Sequence, residues 1–226
     1  MLAIIQARML SKRLRGKVLK KINNKSILER VISNAARSKL ITKIIVATSK
    51  KSADKKIVNL CKRKKIKFFK GEHDNVYLRF LKILKKSKHN SFLRICADSP
   101  FLDPYLLDKF IYFFNNNNYD IVTNVLNRSF PKGQSIEIFR KKVFVDSYSK
   151  LKRKNDKEHI SEFFYKNYKD FKIKNIKNRK NQSKINLCVD RQKDLIMANK
   201  IAIKFDNYNN RKKILSKIIN FAKKFK

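Results

Sequence analysis

The sequence predicts an α/β fold, a mostly parallel sheet with helices on both faces, and three observations predict it. Short apolar runs alternate along the chain with segments of helical periodicity, the pattern of strand–helix units. The strand-like runs, such as LAIIQ at 2–6 and KIIVAT at 43–48, are apolar almost throughout, as strands covered on both faces are. Hydrophobic residues make up 42% of the 226, with 17 Phe and 8 Tyr, enough for a sizeable core. At roughly 150 residues per domain, residues 1–226 are expected to form a single domain.

In chain order, residues 2–6 are the first strand. Residues 26–38 place Ile27, Leu28, Val31, Ile32 and Ala35 at helical spacing, with Ser26 and Glu29 set as a capping box. A strand at 43–48, a helix at 52–64, a strand at 67–70 and a helix at 74–86 led by Asp74 follow. The strand SFLRICA at 91–97 ends at Asp98, and Pro104 opens a helix over 104–115. Strands are expected at 120–124, 136–139, 171–176 and 184–189, and helices at 140–153, 156–167 and from about Arg191. A tail of about 209–226 fits an amphipathic helix, with Ile214, Leu215, Ile218, Ile219, Ala222 and Phe225 on one face. Segment 126–183 breaks the alternation and is read as an insertion or cap over one end of the sheet.

The chain carries 58 Lys and Arg against 17 Asp and Glu, a formal net charge of +41. The excess is spread everywhere, and its longest unbroken run is Lys62-Arg63-Lys64-Lys65, shorter than the roughly five to six like charges of a binding tail. A solvated basic surface is therefore preferred to a nucleic-acid or membrane interface, although such charge speeds the arrival of anionic ligands. Three cysteines without paired spacing argue against a disulfide framework or zinc site. No apolar run approaches about 18 residues, and Arg8 interrupts the N-terminal one, so a cytoplasmic protein without a membrane span or signal peptide is expected.

Ligands of parallel sheets bind beyond the carboxyl ends of the strands. In a chain with only three glycines, Gly16, Gly71 and Gly133 are expected to mark positive φ or close backbone approach. Acidic residues are scarce too, yet Asp98 and Asp190 each follow an apolar strand. Two carboxylates there suit Mg²⁺, a hard cation that takes oxygen ligands, although each could instead cap the next helix. The loop after the first strand, QARMLSKRLRGKV, is not a P-loop, because Ser11 stands at the first glycine position and Val18 at the hydroxyl position. Arg8, Arg13 and Lys17 in it are placed to neutralise a triphosphate, each charged hydrogen bond contributing about 1.5–3 kcal/mol. His73 and His89 read as structural or surface residues, His159 lies within the proposed cap, and Cys96 and Cys188 read as small buried hydrophobes.

Taken together, IIQARMLSKRLRGKVL, KIIVATS, RICADSPFLDP, KEHIS and LCVDRQKDL resemble, in the same order, cytidylyltransferase-like proteins of the spore-coat polysaccharide type, relatives of the CMP-Kdo and CMP-sialate synthetases. The resemblance implies a nucleotide-diphospho-sugar transferase fold related to the GT-A glycosyltransferases. It implies transfer of CMP from CTP to a sugar hydroxyl, of an acidic sugar, with release of pyrophosphate, for surface polysaccharide synthesis. By the same resemblance the Ala7-Arg8 backbone lies near the base, and Arg8, Arg13 and Lys17 hold the phosphates. Asp98 and Asp190 hold Mg²⁺, Asp98 helps to deprotonate the hydroxyl, and Glu137 and His159 face the sugar. A homodimer formed through 126–183 is also implied. Leu10, Lys12 and Arg15 stand where the family usually has Gly, a small hydroxyl residue and Pro; Ala97 and Ser135 replace Gly and Asp. A Leu forced to positive φ would cost about 1–2 kcal/mol, so a loop of different shape is expected. Two other readings remain at this point: a glycosyltransferase using a finished nucleotide sugar on the same scaffold, and a basic nucleic-acid-binding module with a steep salt dependence.

Overall fold

The computed structural model describes residues 1–11, 13–208 and 214–225. Strand β1 (Leu2–Gln6) leads into a long loop and a small antiparallel hairpin, β2 (Lys21–Ile22) with β3 (Lys25–Ser26). Helix α1 (Ile27–Ala36) starts at the expected capping box: Ser26 Oγ accepts the Glu29 N–H at 3.2 Å, and Glu29 Oε2 accepts the Ser26 N–H at 2.8 Å. There follow β4 (Lys43–Ser49), α2 (Lys55–Arg63), β5 (Lys67–Gly71), α3 (Val76–Lys85), β6 (Ser91–Cys96) and α4 (Pro104–Asn115). The second half supplies β7 (Ile121–Thr123), β8 (Glu137–Arg140), α5 (Lys141–Asp146), α6 (Lys154–Glu158), α7 (Glu162–Lys166), β9 (Ile173–Asn175), α8 (Gln192–Phe205) and α9 (Ile214–Lys223).

Among the described residues one seven-stranded sheet forms, in the order β5-β4-β1-β6-β8-β7-β9. β5, β4, β1 and β6 run parallel; β8 is antiparallel to both its neighbours, and β9 is parallel to β7. The apolar strands are buried on both faces, as their composition requires. Ala3 and Ile5 pack with Val31, Leu60 and Phe110 on one face. Leu2 and Ile4 pack on the other with Tyr77, Phe80, Phe144 and Phe164. This second face holds an aromatic cluster, with the Tyr77 and Phe144 rings stacked at 3.9 Å. A third cluster joins α8 and α9 to Ile22, Ile27, Leu187 and Val189.

Several boundaries differ from expectation. Helix α3 is capped by Asn75, whose side chain accepts the Leu78 N–H at 2.8 Å, and Asp74 stands outside it. The expected helix over 140–153 ends at Asp146 and tightens into a 3-10 turn at Ser147–Lys150, where Ser147 Oγ bonds back to the Val143 carbonyl at 2.8 Å. That over 156–167 is two short helices, because the chain turns at His159 and the Glu162 N–H returns to the His159 carbonyl at 2.9 Å. Residues 184–189 are not a strand. Both edges of β6 are already taken, by β1 and β8, so this segment docks through the isolated bridge between Lys132 and Asn186. Of the expected tail helix, residues 209–213 and 226 lie outside the described residues, and α9 occupies 214–223. Within segment 126–183, β8 and β9 are built into the sheet, while α5 and α7 lie over the aromatic face. No helix of the described residues is long and apolar enough to cross a membrane.

Candidate active site

The site grows from the loop after β1. The ladder extends one residue past the strand end, with the Ala7 N–H bonded to the Ala47 carbonyl and the Ala97 N–H to the Gln6 carbonyl, each at 3.1 Å. The Met9 carbonyl then gathers the loop, accepting the Ser11 N–H at 3.0 Å and the Gly16 N–H at 2.9 Å. Gly16 has φ +66°, the left-handed conformation its scarcity foretold, and it opens the short turn Lys17–Leu19. Asp54, fully buried, bolts the loop to the end of β4: Oδ1 accepts the Met9 N–H at 2.7 Å, and Oδ2 accepts the Ser49 N–H at 3.1 Å and the Ser49 hydroxyl. Leu10 is not in the left-handed region; its side chain turns outward and is 47% exposed, so the loop escapes the strain expected of a leucine there. Arg15 is exposed, and Lys12 lies outside the described residues.

Three segments far apart in sequence meet at Lys17. Its Nζ lies 2.9 Å from Asp98 Oδ2 and 2.6 Å from Asp190 Oδ1, and Arg13 Nη2 lies 3.1 Å from Asp190 Oδ2. Burial opposes the Lys17 charge, but Asp98 and Asp190 outweigh it and hold the ammonium above its ordinary pKa. Burial likewise opposes the Asp190 charge, and Lys17 and Arg13 reverse this, keeping the carboxyl below its ordinary value. Asp190 reaches this place without a strand, because the Val189 N–H bonds the Asp98 carbonyl at 2.9 Å. Upstream, Lys132 accepts the Leu187 N–H at 2.8 Å, and at Gly133, with φ +95°, a Cβ would meet the Leu187 carbonyl carbon at 2.8 Å. Neither carboxylate caps a helix. Asp103 caps α4 through the Tyr105 N–H at 2.8 Å, and Asp194 accepts the Asp190 and Arg191 N–H groups at 3.0 and 2.8 Å before α8. Asp98 and Asp190 are thereby left for the site. Both half-buried carboxylates converge on one point, a donor set that fits a hard divalent cation.

The other expected residues lie apart from this cluster. Arg8 Nη1 pairs with Glu158 Oε1 at the end of α6, at 2.9 Å. His159 follows it and is exposed. Glu137 is 3% exposed, and both its oxygens are engaged within the protein: Oε2 by Arg94 and Oε1 by the Tyr165 hydroxyl at 2.7 Å. Cys96 and Cys188 are half-buried rather than fully buried as expected, yet desolvation still raises the Cys96 thiol to about 11 and pushes Cys188 up as well, which keeps both unreactive. Sequence reasoning missed Asp54, Arg94, Glu158 and Tyr165. Two of them carried a signal: Arg94 is a charge inside an apolar strand, and Asp54 is a scarce acid just beyond one.

The sheet has the nucleotide-diphospho-sugar transferase fold, with a basic loop after its first strand and two carboxylates facing that loop. The cytidylyltransferase family model matches residues 2–222, and the chain belongs to that family. It is 34% identical over 166 residues to an uncharacterised protein of Methanocaldococcus jannaschii, covering 74% of this chain and 67% of that one. It is 30% identical over 168 residues to the spore coat polysaccharide biosynthesis protein SpsF of Bacillus subtilis, covering 71% and 68%. Among solved structures it resembles a cytidylyltransferase of Leptospira borgpetersenii, with TM-score 0.92 and 26% identity over 98% of this chain and 93% of that one. CMP:2-keto-3-deoxy-manno-octonic acid synthetase complexed with CTP shares the fold, with TM-score 0.70 and 15% identity over 90% and 98%.

Proposed function

We propose that the chain transfers CMP from CTP to the hydroxyl of an acidic sugar, with release of pyrophosphate, for surface polysaccharide synthesis. The observation that carries this reading is the meeting of Lys17, Arg13, Asp98 and Asp190 beyond β1 and β6. Family membership and the polysaccharide relative support it, as does the CTP complex of a protein with the same fold.

In this reading Arg8, Arg13 and Lys17 bind the phosphates, and the Ala7-Arg8 backbone lies beside the base. Asp98 and Asp190 would hold Mg²⁺, which when bound neutralises phosphate charge. The sugar oxygen forms a bond to the α-phosphorus while the bond from that phosphorus to the bridging oxygen breaks, and pyrophosphate leaves. The hydroxyl proton passes to Asp98. Such a reaction depends on positioning and charge stabilisation more than on covalent chemistry by the protein. The loop bolted by Asp54 supplies the first, and its cations supply the second. Glu137 and His159 fall in the region facing the sugar, where Glu137 braces the sheet through its pairing with Arg94, and segment 126–183 forms a homodimer contact.

The test is pyrophosphate release from CTP and Mg²⁺ by the full chain with a panel of sugars that includes 2-keto-3-deoxy-manno-octonic acid. Release that depends on the sugar and prefers CTP supports the reading. No release, together with tighter calorimetric binding of finished nucleotide sugars than of CTP, overturns it in favour of a glycosyltransferase.

A further inference from the structure

We propose that Lys17 competes with the divalent ion for Asp98 and Asp190, so that ion binding is conditional on a phosphate chain drawing Lys17 away. This inference rests on the reading that the two carboxylates hold the ion. The Lys17 ammonium lies 2.9 Å from Asp98 and 2.6 Å from Asp190, at the point where their oxygens converge. Arg13 takes the second Asp190 oxygen at 3.1 Å. A divalent ion needs these oxygens as ligands and must displace a charge that is already attached to the protein.

That charge is held in place from behind. Lys17 begins the turn after Gly16, the Gly16 N–H is held by the Met9 carbonyl, and the Met9 N–H is held by buried Asp54. The ammonium is also more enclosed than its partners, with side-chain exposure of 13% against 24% for Asp98 and 32% for Asp190. Water therefore screens the pairing only in part. A phosphate chain changes the balance, because it offers the ammonium several anionic oxygens in charge-assisted hydrogen bonds. Once Lys17 turns to phosphate, both carboxylates are released together. Arg8, at the start of the same loop, repeats the pattern with Glu158 as its partner at 2.9 Å. Each expected phosphate-binding cation thus has a carboxylate to leave, and nucleotide entry is an exchange of partners. By linkage, the ion and the phosphate chain strengthen each other's binding by the same factor.

The test is a Mn²⁺ titration of the full chain without nucleotide, followed by electron paramagnetic resonance. Lys17→Met is expected to bind Mn²⁺ roughly tenfold or more tightly than wild type, because no fixed cation must be displaced. Lys17→Arg, which keeps a cation in place, stays close to wild type. Adding Asp190→Asn to Lys17→Met removes the gain. Cytidine, which has no phosphate, leaves the wild-type affinity unchanged. Unchanged or weaker Mn²⁺ binding by Lys17→Met overturns the inference, as does cytidine raising wild-type affinity to the level of that variant. Circular dichroism verifies folding, and Lys17→Gln serves if Lys17→Met does not fold. Pyrophosphate release judges the enzymatic reading and Mn²⁺ binding without nucleotide judges this one, so the two can fail separately.

Discussion

Two cation–carboxylate clusters lie a few residues apart along β6 and its extension, and burial sets them to different work. Arg94 and Glu137 face each other across the antiparallel pairing of β6 and β8, with side chains 16% and 4% exposed. The Tyr165 hydroxyl bonds Glu137 at 2.7 Å and Thr123 at 2.9 Å, which closes the cluster. Burial opposes the charge of Glu137, but Arg94 overrides it and holds the carboxyl below its ordinary value; Tyr165 is pushed well above its own, chiefly by burial. Lys17, Asp98 and Asp190 form the other cluster, with both carboxylates half-buried and open to water. A sealed pair cannot change partners without stranding a charge, whereas an open one can. The first cluster therefore holds the sheet and the second is available for chemistry.

The comparison can be broken at four points. The largest effect is expected from Glu137→Ala, which leaves the Arg94 guanidinium buried without its carboxylate and should cost about 3–5 kcal/mol in urea unfolding. Asp98→Ala should do the reverse, lowering pyrophosphate release roughly 10²–10³-fold while the urea midpoint hardly moves. If both variants lose stability equally, the distinction between the clusters is wrong. Acid sharpens it further. The Glu137 carboxyl lies below its ordinary 4.5 in the folded state, so its stabilisation is complete above that value and is lost as pH falls through the lower one. Between about pH 5 and 3, wild type should therefore lose more melting temperature than Glu137→Gln, whose amide does not titrate. The smallest effect belongs to Glu158→Gln. The Arg8 pair is 35% and 28% exposed, so stability should shift by less than about 1 kcal/mol in thermal melts. CTP should bind no more weakly, since Arg8 is then freed for phosphate.

Much of this was legible because its causes are local. Ser26 and Glu29 announce α1 by spacing alone, and Asp103-Pro104 announces α4. Gly16 and Gly133 both have positive φ, as rare glycines in a lysine-rich chain should. The separation of 156–167 into two helices was not legible, because Ile160, which lies in the turn between them, still keeps a helical spacing with Phe164. Arg94 could be noticed as a charge in an apolar strand, but its partner lies 43 residues onward on an antiparallel neighbour. In the sequence Asp190 stands out as a rare acid directly after an apolar run that reads as a strand. It sits beside Asp98 for another reason, a backbone hydrogen bond from Val189.

The sequence by itself determined the α/β class, the apolar strands buried on both faces, the basic loop after β1 and the rare acids that face it, because periodicity, composition and scarcity are properties of neighbouring residues. Only the tertiary structure decided which charges meet: Lys17 with Asp98 and Asp190, Arg8 with Glu158, Arg94 with Glu137. Those pairings depend on strand order and on how far each side chain is withdrawn from water, and no local pattern encodes either.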